Sequence, residues 1–216
     1  MSDQVELAGD FLILEETPGG SSEVRFSAKG LGRTCGSCQA CCKLVPVPSI
    51  HKAAGQRCTH QKHGKGCWIY ARRPFACRTW SCRWLADPRA HDLPRPDHAH
   101  YVVDIMLDYI TVKPHDGSEP TQISTLQVWC DPAHPQAYRD PKLRAYLAMM
   151  CETFRCVAII RYSSKHAFVL VPPTWMHDGE WHELRDDLTI RSRTEEEQAI
   201  LDLADRIGAG TEGTAS

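Results

Sequence analysis

Residues 140–171 read DPKLRAYLAMMCETFRCVAIIRYSSKHAFVLV, and their order decides the fold class. Asp140 reads as a helix N-cap, with Pro141 at the first helical position, where a missing N–H costs nothing and the ring presets φ. Leu143, Tyr146, Leu147 and Met150 then fall at i, i+3, i+4 and i+7, the stripe of an amphipathic helix. Behind the helix, Cys156 to Tyr162 and His166 to Val171 are rich in apolar and β-branched residues. They read as two strands joined tightly at Ser163-Ser164-Lys165 into a hairpin and stopped by Pro172-Pro173.

Working outward, Tyr101–Val112 and Ile123–Trp129 read as strands, with residues 113–121 as the loop between them. Glu180–Leu184 adds a further strand, and Thr194 to Glu197 matches a capping box ahead of a helix with Ile200, Leu203, Ala204 and Ile207 on one face. The small polar tail from Gly208 to Ser216 is expected to be disordered. Short strands at Phe11–Leu14 and Glu23–Ser27 flank a turn at residues 18–22, and this segment is expected beside the cysteine-rich region. Pro88, Pro94 and Pro96 make residues 87–97 a connector without regular structure. Strands, then a helix, then more strands predict an α+β fold, not a doubly wound parallel sheet. The expected architecture is a small irregular metal-stapled cysteine lobe packed on a mixed, mainly antiparallel sheet with a few helices. Residues 1–86 would form the N-terminal strands and lobe, 87–190 the α+β body, and 191–216 the C-terminal helix and tail.

Within 216 residues, 42% hydrophobic and 24% charged is the composition of a globular protein, not of a disordered or fibrous one. No stretch reaches the roughly 18 apolar residues of a membrane span. The acidic start, Met1 to Glu16, has only Phe11–Leu14 as an apolar run, too short for a signal-peptide core. The expected compartment is therefore the cytosol, where thiols stay reduced and eleven cysteines read as metal ligands or buried thiols.

Eight of the eleven, Cys35, Cys38, Cys41, Cys42, Cys58, Cys67, Cys77 and Cys82, lie within 48 residues. Cys130, Cys151 and Cys156 are scattered and read as small buried apolar groups. Cys35-Gly36-Ser37-Cys38 is a turn that lets two sulfurs reach one ion, with Gly36 permitting the tight path. Its extension to Cys41 and Cys42 brings further thiols round the same curl of backbone. Neighbouring side chains diverge, so Cys41 and Cys42 do not serve one ion equally: they belong to two metals, or one is a ligand and the other a buried or redox-active thiol. Eight thiols fill two four-coordinate sites, with His51, His60 and His63 as possible replacements, so one or two metals remain open.

Charge marks out the same segment. Cys35 to Arg83 contains no Asp or Glu but nine bases: Lys43, Lys52, Arg57, Lys62, Lys65, Arg72, Arg73, Arg78 and Arg83. Removing nine from the chain's 25 bases leaves 16 against 27 acids, so a basic lobe sits on an acidic body. Four thiolates round a divalent ion keep a net charge near −2, which surrounding cations offset while favouring the deprotonated, metal-binding thiolate. The competing use of such a patch is nucleic-acid binding, with Trp68, Phe75, Trp80 and Trp84 as stacking platforms. Aromatics of this kind more often roof a lobe that lacks a core, and that reading is preferred.

The second half of the cluster reads Cys58-Thr59-His60, Cys67-Trp68-Ile69-Tyr70 and Arg73-Pro74-Phe75-Ala76-Cys77-Arg78, ending at Cys82. This pattern resembles the CxxCxxCC family of zinc- or iron-chelating domains, also called YkgJ-like cysteine-cluster proteins. Cys35, Cys38, Cys41, Cys42, Cys58, Cys67, Tyr70, Arg73, Pro74, Cys77 and Arg78 match position by position, over about fifty residues. Cys82 has no firm place in the family's core pattern. The resemblance implies a cluster that chelates zinc or iron; zinc is slightly preferred to iron or an iron-sulfur cluster as the cofactor, because nothing in the body reads as a redox partner site. Pro74 would hold Arg73 extended and set the entry of the segment carrying Cys77. Arg73 and Arg78 would donate toward sulfur or carbonyls, or else stand as exposed charges.

A metal-binding module is therefore the first expectation, an iron-sulfur redox protein or enzyme the alternative, and a nucleic-acid-binding zinc module the third. If catalysis occurs, it would be that of an iron-sulfur oxidoreductase or a metal-dependent modifying enzyme. The metal ion is the expected partner, with no membrane and no assignable protein partner. His91, His98 and His100 read as loop histidines.

Overall fold

A computed structural model describes residues 14–16, 22–24, 32–112 and 119–185. In chain order, β1 (Leu14–Glu16) and β2 (Ser22–Val24) form an antiparallel hairpin ahead of the cysteine lobe. The lobe is built from α1 (Ala40–Leu44), β3 (Gln61–Lys62), β4 (Gly66–Cys67), α2 (Phe75–Thr79) and α3 (Arg83–Ala86). A single turn, α4 (Pro96–Ala99), leads into β5 (Tyr101–Val112) and β6 (Thr121–Cys130), and α5 (Pro141–Phe154) follows. The chain continues through β7 (Val157–Arg161), β8 (Ala167–Val171), α6 (Pro173–Met176) and β9 (His182–Leu184). The predicted strand ends Phe11–Ile13 and Arg25–Ser27, residues 113–118 of the loop and the predicted C-terminal helix and tail lie outside the described residues.

Strands β5 to β9 form one sheet in sequence order, antiparallel except between β6 and β7, so the fold is α+β as expected. The parallel pair follows from α5, which carries the chain back to the starting end of the sheet, since parallel neighbours need a crossover where antiparallel ones need only a turn. Asp140 caps α5 by accepting the Lys142 N–H at 2.9 Å. Every residue of the predicted stripe, Leu143, Tyr146, Leu147 and Met150, is buried.

Alternation along the strands sends two sets of side chains to opposite faces. Tyr101, Val103, Leu126, Val128, Ala158, Ile160, Phe168 and Leu170 meet α5 in the main core. On the other face, Val102 and Trp129 pack against Ala40, Leu44, Val45 and Cys82 of the lobe, while Ile110, Val157, Val169 and Val171 form a smaller cluster. All five residues of β7 are buried, as befits a strand covered on both faces. The cysteine lobe is thus a third layer laid on the sheet.

Two expectations need correction. The proline-rich connector is not irregular throughout: Pro88 opens a 3-10 turn (Pro88–Ala90) and Pro96 opens α4, both at the first helical position, where proline is compatible with the turn. Trp68 does not roof the lobe; it is 70% exposed, whereas Trp80 and Trp84 pack into the interface with the sheet.

Asp87 joins the layers. Its carboxylate accepts from Arg83 at 3.3 Å, from Arg89 at 2.9 and 3.1 Å, and from the Tyr146 hydroxyl of α5 at 2.9 Å. Burial pushes its pKa up, but these hydrogen bonds outweigh burial and hold it below its ordinary 3.8. A carboxylate whose folded pKa is depressed contributes its stability above the unfolded value and loses it as pH falls through the folded one. Asp87→Asn should therefore lose about 3 kcal/mol in urea denaturation at pH 7, because buried guanidinium groups lose their anionic partner. The gap between variant and parent should narrow as the pH is taken below 3.8.

Candidate metal centre

The cysteines are delivered by several short elements, and the lobe's polar contacts set where those elements lie. In the first turn the Cys38 N–H returns to the Cys35 carbonyl at 2.7 Å, with Gly36 at φ +49 in the left-handed region. A Cβ on Gly66 would stand 3.3 Å from the Gly36 carbonyl oxygen, so glycine lets β4 approach this turn. Gln39 fastens the two further: its amide donates to the Lys62 carbonyl and accepts from Gln61 at 2.6 Å. Helix α1 presents Cys41 and Cys42 about 100° apart. The Cys58 N–H bonds the Cys42 carbonyl at 2.9 Å, bringing in the second half of the cluster. Arg73 is extended before Pro74 (φ −59, ψ 147), as the proline predicts, and α2 starts there and carries Cys77. Cys82 caps the start of α3 and bridges to Asp104 of β5.

All eight thiols are free, and their mutual influence runs through two overlapping groups. Cys82, pushed up to about 12 mainly by burial, also feels Cys35 and Cys38. Cys41 is raised by its hydrogen bond to Cys42, by burial and by Cys42, Cys82 and Cys35, while burial and Cys35 act on Cys38. The other group is Cys42, Cys58, Cys67 and Cys77. Burial pushes Cys77 up to about 11, helped by Cys42, Cys58 and Cys67, and burial followed by Cys42 and Cys58 raises Cys67. The groups overlap at the bonded pair Cys41 and Cys42, and Cys42 also acts on Cys35.

Lys52 sits under the junction. It is 5% exposed, and its ammonium donates to the carbonyls of Val45, Lys43 (3.2 Å) and Ala53 (3.4 Å). Burial lowers its pKa, while the charges of Cys42, Cys58, Cys41 and Cys77 raise it. Arg73 lies over the Tyr70 ring at 3.7 Å, bonds the Tyr70 carbonyl at 3.0 Å and lowers Cys35, Cys42, Cys67 and Cys77. Arg78 is exposed beside Phe75. Of the two arginines, Arg73 is therefore the one that acts on the cluster.

Donor type and number fit two closed sites of four thiolates. Among the described residues, the one group of three metal-type donors whose ligand atoms lie within 4.8 Å of one another is His100, Asp131 and His134, outside the lobe. No three of the sulfurs are that close, and His51, His60 and His63 join no such group. In a filled zinc site, sulfurs about 2.3 Å from the ion stand about 3.8 Å apart, so each set must contract around a single ion. His100 reads from sequence as a loop histidine, and Asp131 and His134 carry no signal there beyond the short Asp131-Pro132-Ala133-His134 turn.

No protein-family model, curated protein or solved structure matches the chain. No helix among the described residues is long and apolar enough to cross a membrane.

Cys42 is lowered to about 7, first by the Cys41 hydrogen bond and then, against burial, by Lys52 and Arg73. In metal-free reduced protein, the Cys41–Cys42 pair should lose its first proton near pH 7, one to two pH units ahead of an ordinary thiol at roughly 8.5. Alkylation followed residue by residue with mass spectrometry should show Cys42 labelling level off just above neutrality while Cys77 labelling keeps rising. Lys52→Met should move the Cys42 midpoint upward.

Proposed function

We propose that this chain is a metal-binding protein whose cysteine lobe chelates zinc or iron at two sites. Cys35, Cys38, Cys41 and Cys82 would hold one ion, and Cys42, Cys58, Cys67 and Cys77 the other. The observation that carries this reading is that eight free thiols gather in one lobe, with the bonded Cys41–Cys42 pair and its thiol neighbours around a buried ammonium. Two tetrathiolate sites around divalent ions bear about −4 in total, and Lys52 and Arg73 offset part of it where water does not. The match to the CxxCxxCC pattern stands beside this as separate sequence support. The bases nearest the sulfurs face inward or are already paired, Lys52 with carbonyls and Lys43 with Asp131, which favours charge compensation over nucleic-acid binding. In this role the ion supplies folding energy to a lobe with few buried apolar residues.

A second reading, an iron-sulfur cluster on the same thiolates, is favoured by the repeated three-residue spacing of Cys35, Cys38 and Cys41, which resembles a cluster loop. Metal analysis and a visible spectrum of protein purified without oxygen separate the two. Two zinc ions per chain and no visible colour are expected. A brown sample that bleaches on reduction would transfer the assignment to iron and sulfide. Cys38→Ser and Cys77→Ser should each cut the zinc content by about half, and a folded, metal-free parent protein would remove the proposal.

A further inference from the structure

Three metal-type side chains converge away from the lobe's sulfurs, where α4 passes into β5 and β6 ends. His100 closes α4 at φ +61, a left-handed conformation uncommon for a non-glycine residue. Its carbonyl accepts the Asp131 N–H at 2.9 Å, and the His134 N–H returns to the Asp131 carbonyl at 2.8 Å. Two backbone bonds thus hold the three residues together before any side chain is considered. Their ligand atoms lie within 4.8 Å of one another, and the two imidazoles stack with centroids 3.5 Å apart and planes 10° from parallel.

Asp131 is buried and its carboxylate is already oriented, accepting from Lys43 on one oxygen and from the Ala133 N–H at 3.0 Å on the other. Each carboxylate oxygen has two acceptor positions, so both bonds survive coordination and act as the outer partners that aim a metal-bound carboxylate. His134 is exposed, so its ring is free to turn out of the stack, as ligation of one ion by both imidazoles would require. An open groove of about 540 Å³ lies beside them, bounded by Pro94, His98, Pro135 and Gln136 among others.

We propose that His100, Asp131 and His134 form a further metal site, separate from the cysteines, that takes one divalent first-row transition ion and leaves coordination positions open toward this groove. Two imidazoles and one carboxylate suit zinc or iron(II), and three protein ligands are the number that leaves room for a water or another oxygen donor. The lobe's thiolates, four to a set, offer closed coordination. The thiolate and histidine-aspartate sites therefore differ in kind: the former staple, and the latter can exchange ligands.

Cobalt(II) distinguishes them, because sulfur-bound cobalt gives an intense near-ultraviolet charge-transfer band and cobalt held by nitrogen and oxygen gives only weak visible bands. Anaerobic titration of the full-length protein, as purified with its lobe metal in place, should show one equivalent of cobalt entering with weak visible bands and no sulfur band. His134→Ala and Asp131→Asn should each weaken that equivalent at least tenfold, with zinc competing it away in the parent protein. Because His134 is exposed, its variant keeps the fold, which circular dichroism checks. A parent that takes up no such equivalent, or a folded His134→Ala protein that titrates like the parent, would overturn the proposal. Failure of the cysteine reading shows separately, as absence of the sulfur band after the lobe metal is removed and cobalt is supplied.

Discussion

The lobe is organised around a buried positive charge. Lys52 places its ammonium against three carbonyls in a segment that contains no acidic residue, and its charged neighbours are sulfurs. A buried ammonium without anions costs several kcal/mol, and sheltered thiolates without cations are also costly. Each lowers the other's penalty. The Cys41–Cys42 pair lies at this meeting point, where one thiol holds the proton and its neighbour is held toward the thiolate.

The sheet supplies what the lobe lacks. Short helices and two-residue strands cannot bury a core alone, and the lobe borrows Val102 and Trp129 from the sheet face turned away from α5. The junction is also polar. Asp104 of β5 accepts from the indole N–H groups of Trp80 at 2.6 Å and Trp129 at 3.2 Å, one from each layer, while Arg83 donates to the Asp104 and Ile105 carbonyls. Lys43 extends the connection, since it follows Cys42 in sequence and reaches Asp131 at the end of β6. The cysteine lobe and the histidine-aspartate group are thus one side chain apart.

Much of the body is legible in sequence because its signals are local. Asp140-Pro141 and the stripe from Leu143 to Met150 specify α5, and the β-branched runs give β5 to β9 to within two residues at each end. The α+β class follows from their order. What escapes is set by distance along the chain. The parallel pairing of β6 with β7 is a long-range contact, and no residue pattern inside either strand announces it. The cysteines are conspicuous, yet how they gather depends on how the turns fold over Lys52, which in sequence is one base among nine. Asp131 and His134 lie some thirty residues from His100, and only the register of β5 against β6 brings them together. Trp68 shows the reverse error: an aromatic beside a cysteine suggests shelter, but its place after β4 leaves it in solvent.

The parallel pair at the centre of the sheet also orders events during synthesis. Strands β5 and β6 can zip as a hairpin once residue 130 is free, and the lobe can dock on them, because its partners Val102 and Trp129 are already present. The other edge of β6 must wait until α5 has been made and β7 emerges with residues 157–161. At roughly 5–20 residues per second, that interval lasts a few seconds. For that time the edge strand of a growing chain, bearing Leu126 and Val128, is open to whatever else in the cell can pair with it.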